Sequence, residues 1–95
     1  MFVVLLRFSA NRDRAARLMQ AHKEWIQRGF DDGIFLLTGS IRPQTGGAIV
    51  AHGVTRPELE DRLNGDPFVA EDVVQLEIVE VTPSKADDRL SFLLD

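Results

Sequence analysis

The sequence predicts an α+β domain with the element order β-α-β-β-α-β. Three observations predict it. Short runs of apolar, β-branched and aromatic residues alternate with two stretches whose apolar residues recur every three or four positions. Clusters of Gly, Pro and Asn, the residues that end helices and start turns, punctuate these segments. The 95 residues leave room for one hydrophobic core. A single domain over 1–95 is therefore expected, with its core at 1–82 and a tail at 83–95.

Phe2 to Phe8 is apolar and closed by Ser9-Ala10-Asn11, and reads as the first strand. From Asn11 the period changes. Ala15, Leu18, Met19, His22, Ile26 and Phe30 fall on one face, with Arg14, Arg17, Glu24, Gln27 and Arg28 opposite. This predicts an amphipathic helix capped by Ser9 or Asn11 and ending near Gly29 or Gly33. Ile34 to Thr38 is the second strand, and the Gly/Pro-bearing stretch from Gly39 to Gly47 reads as a loop or hairpin connection. Ala48 to His52 gives the third strand. Thr55-x-x-Glu58 with Pro57 in the first turn is a capping-box signature, and Asn64-Gly65 ends the helix that follows. Val73 to Val81 is the fourth strand, wetter at Gln75, Glu77 and Glu80. Ser84 to Leu94 is read as a short terminal helix.

The simplest packing is a four-stranded antiparallel sheet with both helices on one face, the ferredoxin-like arrangement. One mismatch carries information. Strand one is apolar on both parities, with Val3 and Leu5 on one and Phe2, Val4, Leu6 and Phe8 on the other; Ile34 to Leu37 repeats the pattern. Two helices on one side cannot cover both faces, and each large side chain left wet forfeits about 1.5–3 kcal/mol. The expectation is a homodimer through the open sheet face. The alternative is a tail folded across it.

Composition excludes several function classes. The absence of cysteine rules out disulfides and thiolate chemistry. The two histidines do not form an H-x-x-x-H pair, which argues against a metal site. A net charge of −4 without a basic cluster argues against nucleic acid. The apolar start is broken by Arg7 and no run approaches the roughly 18 residues of a membrane span. A cytoplasmic protein is expected. No phosphate loop, dinucleotide fingerprint or serine-nucleophile motif is present, so no cofactor is expected.

The residue that stands out is His22, at the centre of an otherwise apolar helix stripe. A buried imidazole needs a hydrogen-bond partner. It can be a packing histidine bonded to a backbone carbonyl, or half of a functional pair. The matching oddity is Asp66-Pro67-Phe68. Asp66 can cap a short turn with Pro67 in its first position. Held extended by Pro67, it can also fix an imidazole's tautomer for general-base work. Gly39-Ser40-Ile41-Arg42 offers close backbone approach, a hydroxyl and a guanidinium for an anionic substrate, or is simply a solvated turn. Arg7 faces either the sheet cleft or the dimer rim. His52 reads as a surface residue, and Trp25 as packing at the core edge or an interface.

With His22-Lys23-Glu24-Trp25 on the first helix, the Asp32-Gly33 turn, Leu37-Thr38-Gly39-Ser40 and Asp66-Pro67-Phe68, the chain resembles the YciI-like (YCII-related) family. The resemblance extends to about Val81. It implies a dimeric α+β barrel in which two sheets pack face to face, with His22 and Asp66 as the active-site pair. Relatives of that fold act on lactones and on hydroxylated or halogenated aromatics, and others are oxygenases. The short connection between strands two and three and the Leu-rich tail after Pro83 depart from the family pattern. The expected site has His22 and Asp66 as catalytic pair, surrounded by Gly39, Ser40, Arg42, Pro67, Phe68 and Arg7. The expected activity is cofactor-independent isomerisation or elimination on a small cyclic or hydroxylated aromatic substrate. The alternatives are a non-catalytic dimeric small-ligand-binding or assembly module and a cofactor-free oxygenase.

Overall fold

The computed structural model describes residues 1–94. Four strands, β1 (Phe2–Phe8), β2 (Phe35–Ile41), β3 (Gly46–Ala51) and β4 (Val74–Glu80), form one sheet in the order β2-β3-β1-β4. Every neighbouring pair is antiparallel. Helix α1 (Ala15–Asp31) joins β1 to β2, while α2 (Arg56–Asn64) and the short α3 (Pro67–Ala70) join β3 to β4. This is the expected ferredoxin-like α+β architecture. No described helix is long and apolar enough to cross a membrane.

Strand parity decides what is inside. Phe2, Val4 and Leu6 of β1 pair across the sheet with residues of the same face, and are buried with Phe35, Ile49, Ala51 and Val74 against Trp25, Leu59, Leu63 and Phe68. The other parity, Val3 and Leu5 with Val50, Val79 and Leu37, forms a face that no helix covers. Leu37 is 61% exposed and Val79 40%. The tail does not cover them. Instead of a regular helix it forms 3-10 turns over Asp88–Leu94, interrupted at Leu90, and its Phe92 rests edge-on against His52. Asp95, the last residue of the expected tail, lies outside the described residues.

Several boundaries differ from the sequence reading. β2 continues through Ile41 and β3 begins at Gly46, so Gly39 and Ser40 lie on a strand, not in a loop. Their backbones pair as Gly39↔Ala48 and Ser40↔Gly47. Ladder pairing with a neighbouring strand outweighs the poor strand propensity of glycine. The first helix begins at Ala15 after a 3-10 turn, Arg12–Arg14, and has no side-chain cap. The Ser9 hydroxyl and the Asn11 side-chain amide instead donate to the Asp72 carbonyl, tying the helix entry to the start of β4. Trp25 lies within the core, not at its edge.

The two candidate helix-ending glycines have separate jobs. Gly33, at φ +74°, closes α1. Its N–H donates to the Phe30 carbonyl and the Ile34 N–H to the Gly29 carbonyl, the paired bonds of a Schellman motif. Gly29 lies inside the helix, where a Cβ would come within 2.1 Å of the Phe35 ring. Its missing side chain is the seat for Phe35. The capping box of α2 forms as the motif implies: the Thr55 hydroxyl accepts from the Glu58 N–H, and the Glu58 carboxylate from the Thr55 N–H.

Gly29→Ala separates propensity from packing. Helix propensity alone would favour alanine by about 0.5–1 kcal/mol. The clash with Phe35 should reverse the sign, with a net loss of about 1–3 kcal/mol in urea unfolding. A second prediction concerns acid. The bonds from Thr55, the backbone amide first, hold the Glu58 carboxyl below the usual glutamate range. Its contribution to stability is thus present above that range and disappears as pH falls through the lowered value. Glu58→Gln, which removes the titrating group, should flatten this part of the acid limb in a pH series of unfolding midpoints.

Candidate active site

The site is built where α1 meets the α2–α3 corner. Asp66 follows the end of α2 in an extended conformation, φ −74° and ψ 127°, and caps α3 with Pro67 in the first helical position. Its side chain is fully buried. Oδ1 accepts the Phe68 N–H at 3.1 Å, and the same oxygen lies 2.7 Å from His22 Nδ1. The two sequence readings of Asp66, as helix cap and as imidazole partner, describe one oxygen doing both. Oδ2 is sealed from solvent and has no hydrogen-bond partner among the described residues. Among the described residues, the imidazole is the only ionisable group paired with this carboxylate.

The capped turn also sets the imidazole's plane. Phe68, next but one to Asp66, stacks on the His22 ring with centroids 3.9 Å apart and planes 4° from parallel. Trp25 lies 6.1 Å away on the same helix and donates its indole N–H to the Arg62 carbonyl, fastening the end of α2 to α1. The ring is thus held at its edge by Asp66 and on its face by Phe68. With Nδ1–H donated to the carboxylate, Nε2 carries the free lone pair of the neutral ring. Nε2 makes no hydrogen bond among the described residues, and the His22 side chain is 14% exposed.

His22 opens onto a cavity of about 280 Å³ between α1 and the helix-facing side of β2 and β3. Its walls are largely apolar, from Leu6, Phe8, Ile26 and Phe68, with polar groups at Lys23, Thr38 and Ser40. The Thr38 hydroxyl is engaged with the Ala48 carbonyl. Gly47 lies on the cavity floor: a Cβ there would meet only the Gly39 carbonyl, at 3.4 Å.

The expected site residues are not all gathered here. His22, Gly39, Ser40 and Phe68 line the cavity, and Asp66 stands behind the imidazole. Arg42 lines an adjoining groove beyond Ser40. Two assignments are corrected. Arg7 belongs to the face away from His22, where its parity with Val3 and Leu5 places it, and is ion-paired with Glu77. Pro67 does not line the cavity; it starts α3. Lys23, Thr38 and Gly47 were not foreseen. Alternation along β2 would have indicated Thr38 and Ser40 together had the strand been extended to Ile41. Among the described residues, no cluster of three His, Asp or Glu side chains could hold a metal ion.

No protein-family model matches the chain, and no curated protein sequence matches it. Among solved structures it is similar to 5-chloro-2-hydroxyhydroquinone dehydrochlorinase from Burkholderia phenoliruptrix AC1100, a complex with 2,5-dihydroxybenzoquinone. The TM-score is 0.69 over 85% of this chain and 93% of that one, with 12% identity. At this identity the likeness establishes a shared fold.

The double duty of Asp66 predicts graded costs. Asp66→Ala removes the cap and strands Nδ1–H, and should cost about 2–4 kcal/mol in urea unfolding. Asp66→Asn keeps an acceptor in the Oδ1 position and should lose less than half of that.

Proposed function

We propose that this chain is a YciI-like enzyme that works by acid–base chemistry on a small cyclic or hydroxylated aromatic substrate, with His22 as general base and acid and Asp66 as its orienting partner. One observation carries the reading: a buried carboxylate takes one imidazole nitrogen of a ring that also lines a cavity. An imidazole satisfied only for packing has no need of an opening, whereas a base must reach its proton.

The cavity's size bears on the substrate. An apolar cavity of about 150 Å³ holds a benzene ring. At about 280 Å³ this one has space for a single substituted ring. In elimination, Nε2 takes a proton from the ring, the released electron pair forms the new double bond, and the leaving group departs with its bonding pair. In isomerisation, Nε2 returns the proton to another carbon. Asp66 faces the imidazolium in either case and keeps the ring in register. The dehydrochlorinase that shares this fold is named for removing the elements of hydrogen chloride, and that makes elimination the first reaction to test.

The open sheet face supports a homodimer. Val3, Leu5, Val50 and Val79 form an apolar strip flanked by Leu37; no described helix covers it, and Leu37 and Val79 are exposed. A second copy offers the same strip, and two such sheets can bury each other face to face.

The activity is tested by chloride release from chlorinated hydroxyhydroquinones, followed together with the ring spectrum. His22→Gln should lower turnover about a hundredfold to ten-thousandfold. Asp66→Asn should lower it substantially while leaving substrate affinity within a few fold. Turnover that survives His22→Gln removes the base assignment, and saturable binding with no turnover supports a ligand-binding module instead. Leu37→Lys should shift the protein toward a monomer in sedimentation velocity, and an unchanged sedimentation coefficient would reject the dimer face.

A further inference from the structure

The chain is acidic overall, with 15 Asp and Glu against 11 Lys and Arg. Arg7, Arg17, Arg56, Arg62 and Arg89 each form an ion pair. Of the six cations that form none among the described residues, Arg14, Arg28 and Lys85 lie elsewhere, and Arg12, Lys23 and Arg42 line the His22 cavity or the open groove beside it. No described Asp or Glu lines either space. In a net-negative protein, a concave region with three unpaired cations and no carboxylate attracts an anion.

The two spaces adjoin. They share Phe8, Ser40 and Gly46, with the apolar cavity on the helix side and the groove toward the β2–β3 turn. Phe8 links them physically, because the Arg12 guanidinium lies over its ring at 4.4 Å from the centroid. That contact holds the guanidinium at the mouth with its N–H edge available. Arg42 stands on the same groove, and no described group accepts a hydrogen bond from it. The Ser40 hydroxyl, at the junction, makes no hydrogen bond among the described residues and is exposed.

We infer that the ligand is a single-ring carboxylic acid, its ring in the cavity beside His22 and its carboxylate bound by Arg12 and Arg42 in the adjoining groove. Two planar forks match a carboxylate better than one ammonium, which singles out the arginines over Lys23. The assignment deepens the proposed activity, since it rests on the cavity being the substrate site, but it does not depend on His22 acting as a base.

Binding is the test. The full chain, labelled with ¹⁵N, is titrated at low salt with 4-hydroxybenzoate and phenylacetate, and with their neutral amides. The acids should bind about fivefold or more tighter than the amides. Arg12→Gln with Arg42→Gln should erase that preference and leave amide affinity within about twofold, while Arg12→Lys keeps part of it. Gly47→Val, filling the cavity floor, should weaken acids and amides alike. The inference is overturned if acids and amides bind equally or neither acid binds. It also falls if the preference survives the double variant, or is lost in Lys23→Gln instead. A protein that passes this test yet shows no turnover would refute the acid–base proposal and leave the arginine assignment standing.

Discussion

Everything at the site depends on a single carboxylate oxygen. Asp66 Oδ1 accepts one hydrogen bond from the first turn of α3 and another from a side chain of α1. The cap determines where the carboxylate points, because Pro67 and the Phe68 N–H leave it one direction. The carboxylate in turn determines which imidazole nitrogen stays free. Phe68 then lies flat on the ring because it belongs to the turn that Asp66 caps. Nor can the corner swing away, since the Trp25 indole holds the last turn of α2 from the same helix that carries His22. Secondary-structure termination and site geometry are here one constraint, which gives the imidazole the rigidity of two helices instead of a loop.

Sheet parity separates the two proposed functions of the molecule. On the helix side, β2 and β3 set small residues opposite one another at Ser40↔Gly47, and the cavity lies over them. Larger residues on that pair would let the helix layer rest on a full floor and leave no space beneath His22. On the other side the same strands set Leu37 opposite Val50. A one-residue slip between β2 and β3 would exchange these sets, putting leucine in the cavity and serine on the apolar strip. The ladder register therefore maintains the cavity and the proposed dimer face together.

The element order and the identities of His22 and Asp66 were legible in the sequence because each broke a pattern. An imidazole interrupts an apolar stripe, and Asp-Pro follows a completed helix. Their contact was not legible, as no periodicity reports the angle between two helices. Arg7 was misplaced for a related reason. With apolar residues on both parities of β1, hydropathy cannot say which parity faces the helices; the burial of Phe2, Val4 and Leu6 beside an exposed Arg7 decides it. Gly39 and Gly47 resemble turn residues in the sequence because glycine is a poor strand former in isolation. The hydrogen-bonded partner strand supplies what propensity withholds. Gly29 was ambiguous since its role, a seat for Phe35, lies in a tertiary contact.

Charge arrangement follows from the same placement. The Asp66 carboxylate sits behind the imidazole, away from the cavity, while Arg12, Lys23 and Arg42 stand around the cavity and its groove. Under the proposed chemistry, proton transfer to Nε2 creates a cation on the ring and an anion on the substrate. The cation faces Asp66 across the Nδ1 hydrogen bond, and the anion forms on the side where the unpaired cations lie. Both charges then develop toward groups already in position, which is the condition for electrostatic stabilisation without reorganisation. A carboxylate within the cavity would oppose that separation, and the lining contains none among the described residues. In a chain with more acids than bases, a concavity lined by none of the described Asp and Glu residues suits the proposed charge separation.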